Sequence, residues 1–599
     1  MEQQSQKEII KSRLSAVRDY MDKHGLSAVI VPSTDPHSGE YVPEHWKVRE
    51  WLTGFTGSAG TAVVTKSKAA LWTDSRYFLQ AEEQLADTGI CLMKERLPET
   101  PLQTEWLGSV LQRGDTVGMA GTTQTLSAFR DYESALAACD IRVEALYPEP
   151  WDLLWEGRPS LPGNPVVIQP LEYAGKSCRE KLVDLRSVLQ ANRVDGIILS
   201  TLDEIAWLLN VRGTDVHCNP VTVSYLVVTS EKACFFCAPE KISPEVKNYL
   251  AAEGVESLPY SSFFEWLGGY PLQSVQVDPA SSNYEMVHRL PQACQVVEKG
   301  SPVALMKAVK SSAEIEGFRQ AMVRDGVAMV RFLRWLEREL PGGEVTELSV
   351  DRALLRFRSE QPLFRDISFD TIAGYKEHGA IVHYEATPET DVALRPEGFL
   401  LLDSGAQYQD ATTDITRTIP LGVLTEEERR DYTLVLKGHI ALARAVFPQG
   451  TCGTQLDVLA RQAMWREGVN YLHGTGHGVG SYLNVHEGPH QVRMNHMPTL
   501  LVPGMTLTNE PGIYKAGRHG VRTENVMLVV PCMETEFGAF YRFEALTLCP
   551  IATSPIVTEM MNVEETEWLN AYHRHVYEVL SPHLDEAERE WLQKATQAL

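Results

Sequence analysis

Residues 473–480 read HGTGHGVG, and their setting decides how the C-terminal half of the chain folds. Upstream stand Leu401-Leu402-Asp403-Ser404-Gly405 and Thr413-Asp414-Ile415-Thr416-Arg417-Thr418. Downstream stand Asn509-Glu510-Pro511-Gly512 and Val521-Arg522-Thr523-Glu524-Asn525. Asp403, Asp414, His477, Glu510 and Glu524 are thus four acids and one histidine, each flanked by strand-forming or turn-forming residues. A hard donor set of this kind suits two divalent cations and points to metal-assisted hydrolysis. Four carboxylates balance two M²⁺ ions, and ions about 3.5–4 Å apart can share a water or hydroxide and lower its pKa towards neutrality.

The flanking residues predict strands that carry these acids. Residues 399–402 read as an apolar strand ending at Asp403, 410–413 as a turn, and 414–419 as the return strand of a hairpin that presents both aspartates. Residues 505–509 and 526–530 are further strands, with Glu510 and Glu524 at their ends. A buried carboxylate needs a cationic partner or a metal. Arg417 and Arg522 are the partners that an account without metal would use. Gly474, Gly476, Gly478 and Gly480 allow close approach of backbone. No Gly-Lys-Ser/Thr follows them, so they are not a phosphate loop.

In these residues the chain resembles the metallopeptidases of the pita-bread fold and, within them, aminopeptidase P, the X-Pro aminopeptidase. The matching pieces are LLDSGAQYQDATTDITRT (401–418), YLHGTGHGVGSYLNVHEGP (471–489), TNEPGIY (508–514) and VRTENV (521–526). Asn509 stands where many relatives carry Asp. The likeness spans nearly the whole chain, because the three-part layout also matches the eukaryotic-type cytosolic enzyme. It implies two related, creatinase-like α/β domains followed by a pita-bread α+β catalytic domain. It implies two metal ions on Asp403, Asp414, His477, Glu510 and Glu524, with manganese expected and cobalt or zinc as alternatives. The substrates it implies are peptides with proline at the second position.

The same resemblance assigns catalytic or substrate-binding roles to His383, His473 and His486. Imidazoles donate to a developing oxyanion and shuttle protons near neutral pH. His486 is the expected oxyanion donor, and His383 is expected to hold the leaving proline nitrogen. Glu510 is expected to ligate metal and assist proton transfer, and Arg522 to contact substrate and support the ligands. His473 could instead orient the metal-site strand. Lys376, His378, His490, His496 and His519 match no motif and read as peripheral. Two other readings stay open. Prolidase, an X-Pro dipeptidase, shares the ligand set but is usually shorter with one N-terminal domain. A metal-free pita-bread binding module would lack ligands that this chain retains.

A chain of 599 residues exceeds a single core, so three domains are expected. The first half repeats. One copy has LSAVIVPSTD (26–35) and EWLTG (50–54), and the other has VDGIILSTLD (194–203) and AWLLN (206–210). Strand candidates follow each, around 62–64 and 70–72 or around 223–228 and 233–237. An amphipathic helix precedes each, marked by Ile10, Leu14, Val17 and Met21 or by Leu182, Leu185, Val188 and Leu189. Two α/β domains of related fold result. RPSLPGNP at 158–165 reads as a linker and a second boundary falls near 301–310, giving domains 1–160, 161–308 and 309–599. Capping boxes at Ser311–Glu314 and Thr425–Glu428 open helices that run towards Leu340 and Ala445. The extra residues between Asp35 and Trp51 in the first copy, with Arg76, are candidates for lining a cleft.

A net charge of −24 argues against nucleic acid and anionic membranes as partners. The polar start and the lack of an apolar run of membrane length point to a cytoplasmic protein. Ten cysteines without a disulfide framework agree with that. Cys234-Phe235-Phe236-Cys237 has CxxC spacing but reads as a core strand. Near the C-terminus Trp568, Leu569, Tyr572, Val576, Val579 and Leu580 form an apolar helical stripe. With the family likeness, the stripe leads to the expectation of a homodimer through the catalytic domain and tail.

Overall fold

The structure, a computed structural model, describes residues 2–599. The chain forms two compact units. The first holds the chain up to Ile168 together with Lys176–Val303, and the second holds Gln169–Gly175 with Ala304–Leu599.

In the first unit the repeat appears as two six-stranded sheets with the same wiring. One runs Cys91–Lys94, Ala69–Thr73, Thr61–Thr65, Ala28–Pro32, Thr116–Ala120, Arg142–Leu146. The other runs Glu256–Pro259, Ala233–Cys237, Ser224–Thr229, Gly196–Leu199, Ser274–Val277, Gln295–Glu298. In each sheet the first strand in sequence lies centrally. It is antiparallel to a hairpin strand on one side and parallel to a later strand on the other. Parallel neighbours need a crossover, and the helices Leu126–Ala137 and Tyr284–His288 supply it between the last two strands of each copy. The amphipathic helix Glu2–His24 buries Ile10, Leu14, Val17 and Met21 in one cluster with Val29, Val31 and Val64 of its sheet. Cys178–Asn192 buries Leu182, Leu185 and Leu189, while Val188 is half-buried.

Cys234 and Cys237 lie on the buried strand Ala233–Cys237, and both are free. Three residues apart on a strand, they face opposite sides and do not form one thiol site. The insertion after Asp35 binds the two copies to each other. The His37 ring hydrogen-bonds the Ser200 carbonyl at 2.9 Å and the Tyr260 hydroxyl at 3.0 Å. Arg76 pairs with Asp74 at 2.8 Å and with Glu40 at 3.3 Å.

The second unit is built around long helices and antiparallel sheets. Ser311 accepts from Glu314 N while the Glu314 carboxylate accepts from Ser311 N, opening the helix Ser312–Glu339. Thr425 and Glu428 open Glu426–Ala443 in the same way. The main sheet is antiparallel throughout, in the order Val446–Pro448, Gly538–Ala545, Asn525–Thr535, Thr506–Asn509, Gly476–Gly478, Glu487–Val492. A three-stranded sheet holds Ile372–Tyr375, Phe399–Ser404 and Ile415–Pro420.

The hairpin that carries the two aspartates differs from expectation. Phe399–Ser404 does pair with Ile415–Pro420, Asp403 facing Thr416. Between them, however, Ala406–Tyr408 and Ala411–Thr412 form a second, small hairpin in another sheet, with its turn at Gln409-Asp410 rather than over 410–413. Gly405 makes the switch between sheets. A Cβ there would lie 2.0 Å from the Thr413 carbonyl oxygen and 2.1 Å from Ser368 Oγ, so only glycine lets the chain pass itself at that point.

The C-terminal stripe packs on its own chain. Leu569, Tyr572, Val576 and Leu580 of the helix Val563–Leu580 share a core with Val327, Phe399, Tyr432 and Ile440, with Trp568 and Val579 at its margin. Arg417 anchors this tail. It donates to the carbonyls of Cys549 and Pro550 and to the Tyr572 hydroxyl at 2.9–3.1 Å. Among the described residues no helix is long and apolar enough to cross a membrane.

Candidate metal centre

Strand ends bring the five residues together. Asp403 is the penultimate residue of Phe399–Ser404, and Asp414 directly precedes Ile415–Pro420. Thr506–Asn509 and Asn525–Thr535 pair with Asn509 opposite Asn525, so Glu510 and Glu524 leave the same end of that ladder. Gly476–Gly478 carries His477 and joins the ladder through Gly478 and Leu507. A Cβ on Gly476 would meet the Thr508 carbonyl oxygen at 2.0 Å, so this glycine lets the histidine strand lie close. A Cβ on Gly474 would meet no non-adjacent residue nearer than 3.7 Å, so close approach is not its role.

His477 Nδ1 donates to the Gly478 carbonyl at 2.9 Å, which turns Nε2 towards the acids. Nε2 lies 3.5 Å from Asp414 and 3.4 Å from Glu510. Donor atoms of Asp414, His477 and Glu524 all fall within 4.8 Å of one another. Hydroxyls orient the acids: Thr416 donates to Glu524 at 2.7 Å and Thr508 to Glu510 at 3.1 Å. Arg522 donates to Oδ2 of Asp403 from Nη2 at 2.6 Å and from Nε at 3.1 Å. Arg417 makes no such pair with a site carboxylate; it donates instead to the backbone carbonyl of Glu524 at 2.6 Å.

Arg522 alone does not balance the four carboxylates gathered here. Burial, then the charges of Asp403 and Glu510, push the Asp414 carboxyl well above its ordinary range. Burial, then Asp414 and Asp403, do the same to Glu524. Burial pushes Glu510 up to about 7. Oδ1 of Asp403 is buried and takes no hydrogen bond. Converging oxygen and imidazole donors, one of them unsatisfied, fit hard divalent cations.

The three further histidines have distinct surroundings. The His486 ring meets the His477 ring edge-on, with centroids 4.3 Å apart. His383 follows Val382, whose carbonyl accepts from Arg522 at 3.3 Å. His473 has both ring nitrogens engaged, Nδ1 with the Gly474 carbonyl at 2.7 Å and Nε2 with the Tyr514 hydroxyl at 2.9 Å. A carbonyl can only accept, so Nδ1 carries a proton, and in the neutral ring Nε2 accepts a hydrogen bond from the Tyr514 hydroxyl. Tyr514 in turn accepts from Arg522 at 2.7 Å, linking His473 through Tyr514 and Arg522 to Asp403. The peripheral residues sit elsewhere: Lys376 with Glu397, His378 with Glu347, His519 with Asp431, and His490 on the Thr506 carbonyl.

Sequence reasoning did not find Tyr514, Thr416 or Thr508. Tyr514 lies inside the quoted TNEPGIY motif, and pairing of Gly512–Lys515 with His519–Arg522 is what brings it to Arg522. The hydroxyls sit on strands next to the ligands, and that adjacency was the available signal.

Comparison with known proteins shows the family. The profile of metallopeptidase family M24 matches residues 316–531, and that of the C-terminal region of this peptidase matches 539–599. Profiles of the creatinase/prolidase N-terminal domain match residues 13–145 and 157–314. Aminopeptidase P1 of Lotus japonicus is 38% identical over 659 residues, covering 98% of this chain and 99% of the relative. A probable Xaa-Pro aminopeptidase P of Paracoccidioides brasiliensis (strain Pb03) is 39% identical over 611 residues, with 98% and 99% covered. The crystal structure of X-prolyl aminopeptidase from Caenorhabditis elegans, described as a cytosolic enzyme with a di-nuclear active site, superposes with a TM-score of 0.92. It is 36% identical, over 96% of this chain and 95% of that one.

Proposed function

We infer the activity from kinship: this chain belongs to metallopeptidase family M24, in its aminopeptidase P group, and it removes the first residue from peptides whose second residue is proline. The observation that carries the reading is the convergence of Asp403, Asp414, His477, Glu510 and Glu524 in one buried, carboxylate-rich centre. These five residues would hold two divalent ions, with Mn²⁺ preferred over Co²⁺ or Zn²⁺ on ligand hardness. When bound, the ions polarise the scissile carbonyl and lower the pKa of the attacking water.

The protein's own groups do the rest. Glu510 takes the proton from the attacking water and passes it towards the leaving nitrogen. His486, edge-on to His477, donates to the oxyanion as the carbonyl carbon becomes tetrahedral. The bond broken precedes proline, so the leaving group is a secondary amine that must be protonated as it departs, and His383 holds its nitrogen. Arg522 fixes the orientation of Asp403 and borders the substrate. His473 acts through Tyr514 on this arginine, since both of its ring nitrogens are already engaged.

A metal assay combined with peptide hydrolysis tests the reading. Purified protein should carry close to two divalent ions and release the first residue of an Xaa-Pro tripeptide. Cleavage of Xaa-Pro dipeptides alone would make it a prolidase, a reading that the repeated N-terminal sheet disfavours. A folded protein without metal or hydrolysis would be a binding module. We further place the enzyme in the cytoplasm as a homodimer, with domain limits at 1–160, 161–308 and 309–599. Because the tail stripe is occupied within the chain, dimerisation would use other surfaces. Sedimentation near the monomer mass of 67.0 kDa at micromolar protein would exclude the dimer.

A further inference from the structure

The segment that carries His473 and His477 is irregular between residues 471 and 475, with Tyr471 and Thr475 buried and His473 and Gly474 half-buried. Buried backbone outside helices and sheets leaves carbonyls that need donors. The donors come from the neighbouring helix Gly453–Trp465. Arg461 donates from Nη1 to the Tyr471 carbonyl at 2.6 Å and from Nη2 to the His473 carbonyl at 2.9 Å. Its guanidinium carbon sits 3.8 Å from the centre of the Tyr471 ring. Asp457, one helical turn earlier, accepts from Arg461 Nε at 2.6 Å and from the Thr475 hydroxyl at 2.5 Å. The Tyr471 and Thr475 hydroxyls are themselves 2.6 Å apart. Residues 471, 473 and 475 are therefore all held from one side by one ion pair.

That grip extends to the centre. The Thr475 carbonyl accepts the Glu510 amide at 2.8 Å, and Thr475 directly precedes Gly476-His477. An ion pair with side chains 1% and 3% exposed is weak evidence for stability, because an apolar pair of similar volume would serve the helix as well. A planar fork with fixed donor directions is, however, what registers two carbonyls at once, which lysine cannot reproduce. We propose that Asp457 and Arg461 are positioning residues that set the placement of His473, His477 and Glu510 for catalysis. They touch none of the reacting atoms. The catalytic half of this statement rests on the aminopeptidase reading above; the placement half does not.

The test compares wild type, Arg461→Lys and Thr475→Val in the metal-loaded full chain. Thr475→Val keeps the carbonyl that receives Glu510 and removes the hydroxyl's bonds to Asp457 and to Tyr471, so it reports even if the lysine variant folds poorly. Expected are a fall in kcat on an Xaa-Pro tripeptide of on the order of 10- to 100-fold for Arg461→Lys and a smaller one for Thr475→Val, with KM changed much less. Hydrogen exchange should rise at the amides of 473–477 and at Glu510, and stay unchanged in the helix Ser312–Glu339. Wild-type kcat in both variants, or faster exchange spread evenly over the second unit, would overturn the proposal. If wild type hydrolyses no Xaa-Pro peptide, the functional reading fails by itself. Exchange then decides alone: a local rise supports the clamp and no rise refutes it.

Discussion

The buried acids make the stability of the metal-free protein depend on pH in a direction that can be worked out. Glu510 has an ordinary value of 4.5 and is pushed up to about 7 by burial. Between those values the folded protein holds a proton that the unfolded chain has released. Unfolding free energy therefore falls as pH rises through the window, and levels off above it. At roughly 1.4 kcal/mol per pH unit, Glu510 alone costs the metal-free fold about 3 kcal/mol at pH 8 relative to pH 4. Asp414 and Glu524 are raised as well and act in the same direction. Glu510→Gln removes that contribution while keeping size and shape. The assay is urea unfolding of chelator-stripped wild type and variant at both ends of the window. The variant should gain about 3 kcal/mol on wild type between low and high pH. Subtracting the two proteins cancels most of the background from the −24 net charge. Divalent ions should stabilise wild type more at high pH than at low pH, because protons and metal compete for the same oxygens. Equal pH slopes for the two stripped proteins would refute the reasoning.

Other consequences follow from named contacts. Asp414→Asn should abolish Xaa-Pro hydrolysis and lower bound metal with little change in circular dichroism; normal turnover at full metal content would remove Asp414 from the ligand set. His486→Ala should lower kcat by on the order of 100-fold, the usual cost of an oxyanion donor, at unchanged metal content by elemental analysis. Glu487 is buried between Lys307, at 2.6 Å, and Lys310, so Glu487→Gln removes the carboxylate charge that both ammonium groups face. It should destabilise the fold by about 3–5 kcal/mol. A second change, Lys310→Met, should recover part of that loss in a double-mutant cycle, and simple additivity in denaturant unfolding would disprove the coupling.

Patterns short enough to repeat or cap locally were legible in the chain. That both N-terminal copies share one α/β fold was legible from their matched apolar runs, while the order of the six strands in each sheet came from the structure. The helix starts at Ser311 and Thr425 were legible because both halves of a capping box lie three residues apart. Asp403, Asp414, His477, Glu510 and Glu524 stood out because each is flanked by strand-forming or turn-forming residues. The turn over 410–413 was misplaced because an extra small hairpin enters where Gly405 crosses Thr413 and Ser368. No local periodicity encodes that crossing.

The sequence by itself thus determined the repeat, the helix starts and the identity of the acids and histidine that meet. Only the tertiary structure decided who holds whom. Arg522 reaches Asp403 across 119 positions, Arg417 the Cys549 carbonyl across 132, and Arg461 the His473 carbonyl across a loop with no regular pattern. It also decided that the C-terminal stripe fills a core of its own chain. The physical reason is that a hydrogen bond or an apolar contact depends on where two atoms lie in space. Neighbouring residues specify how a segment bends, but not which distant segment it will meet.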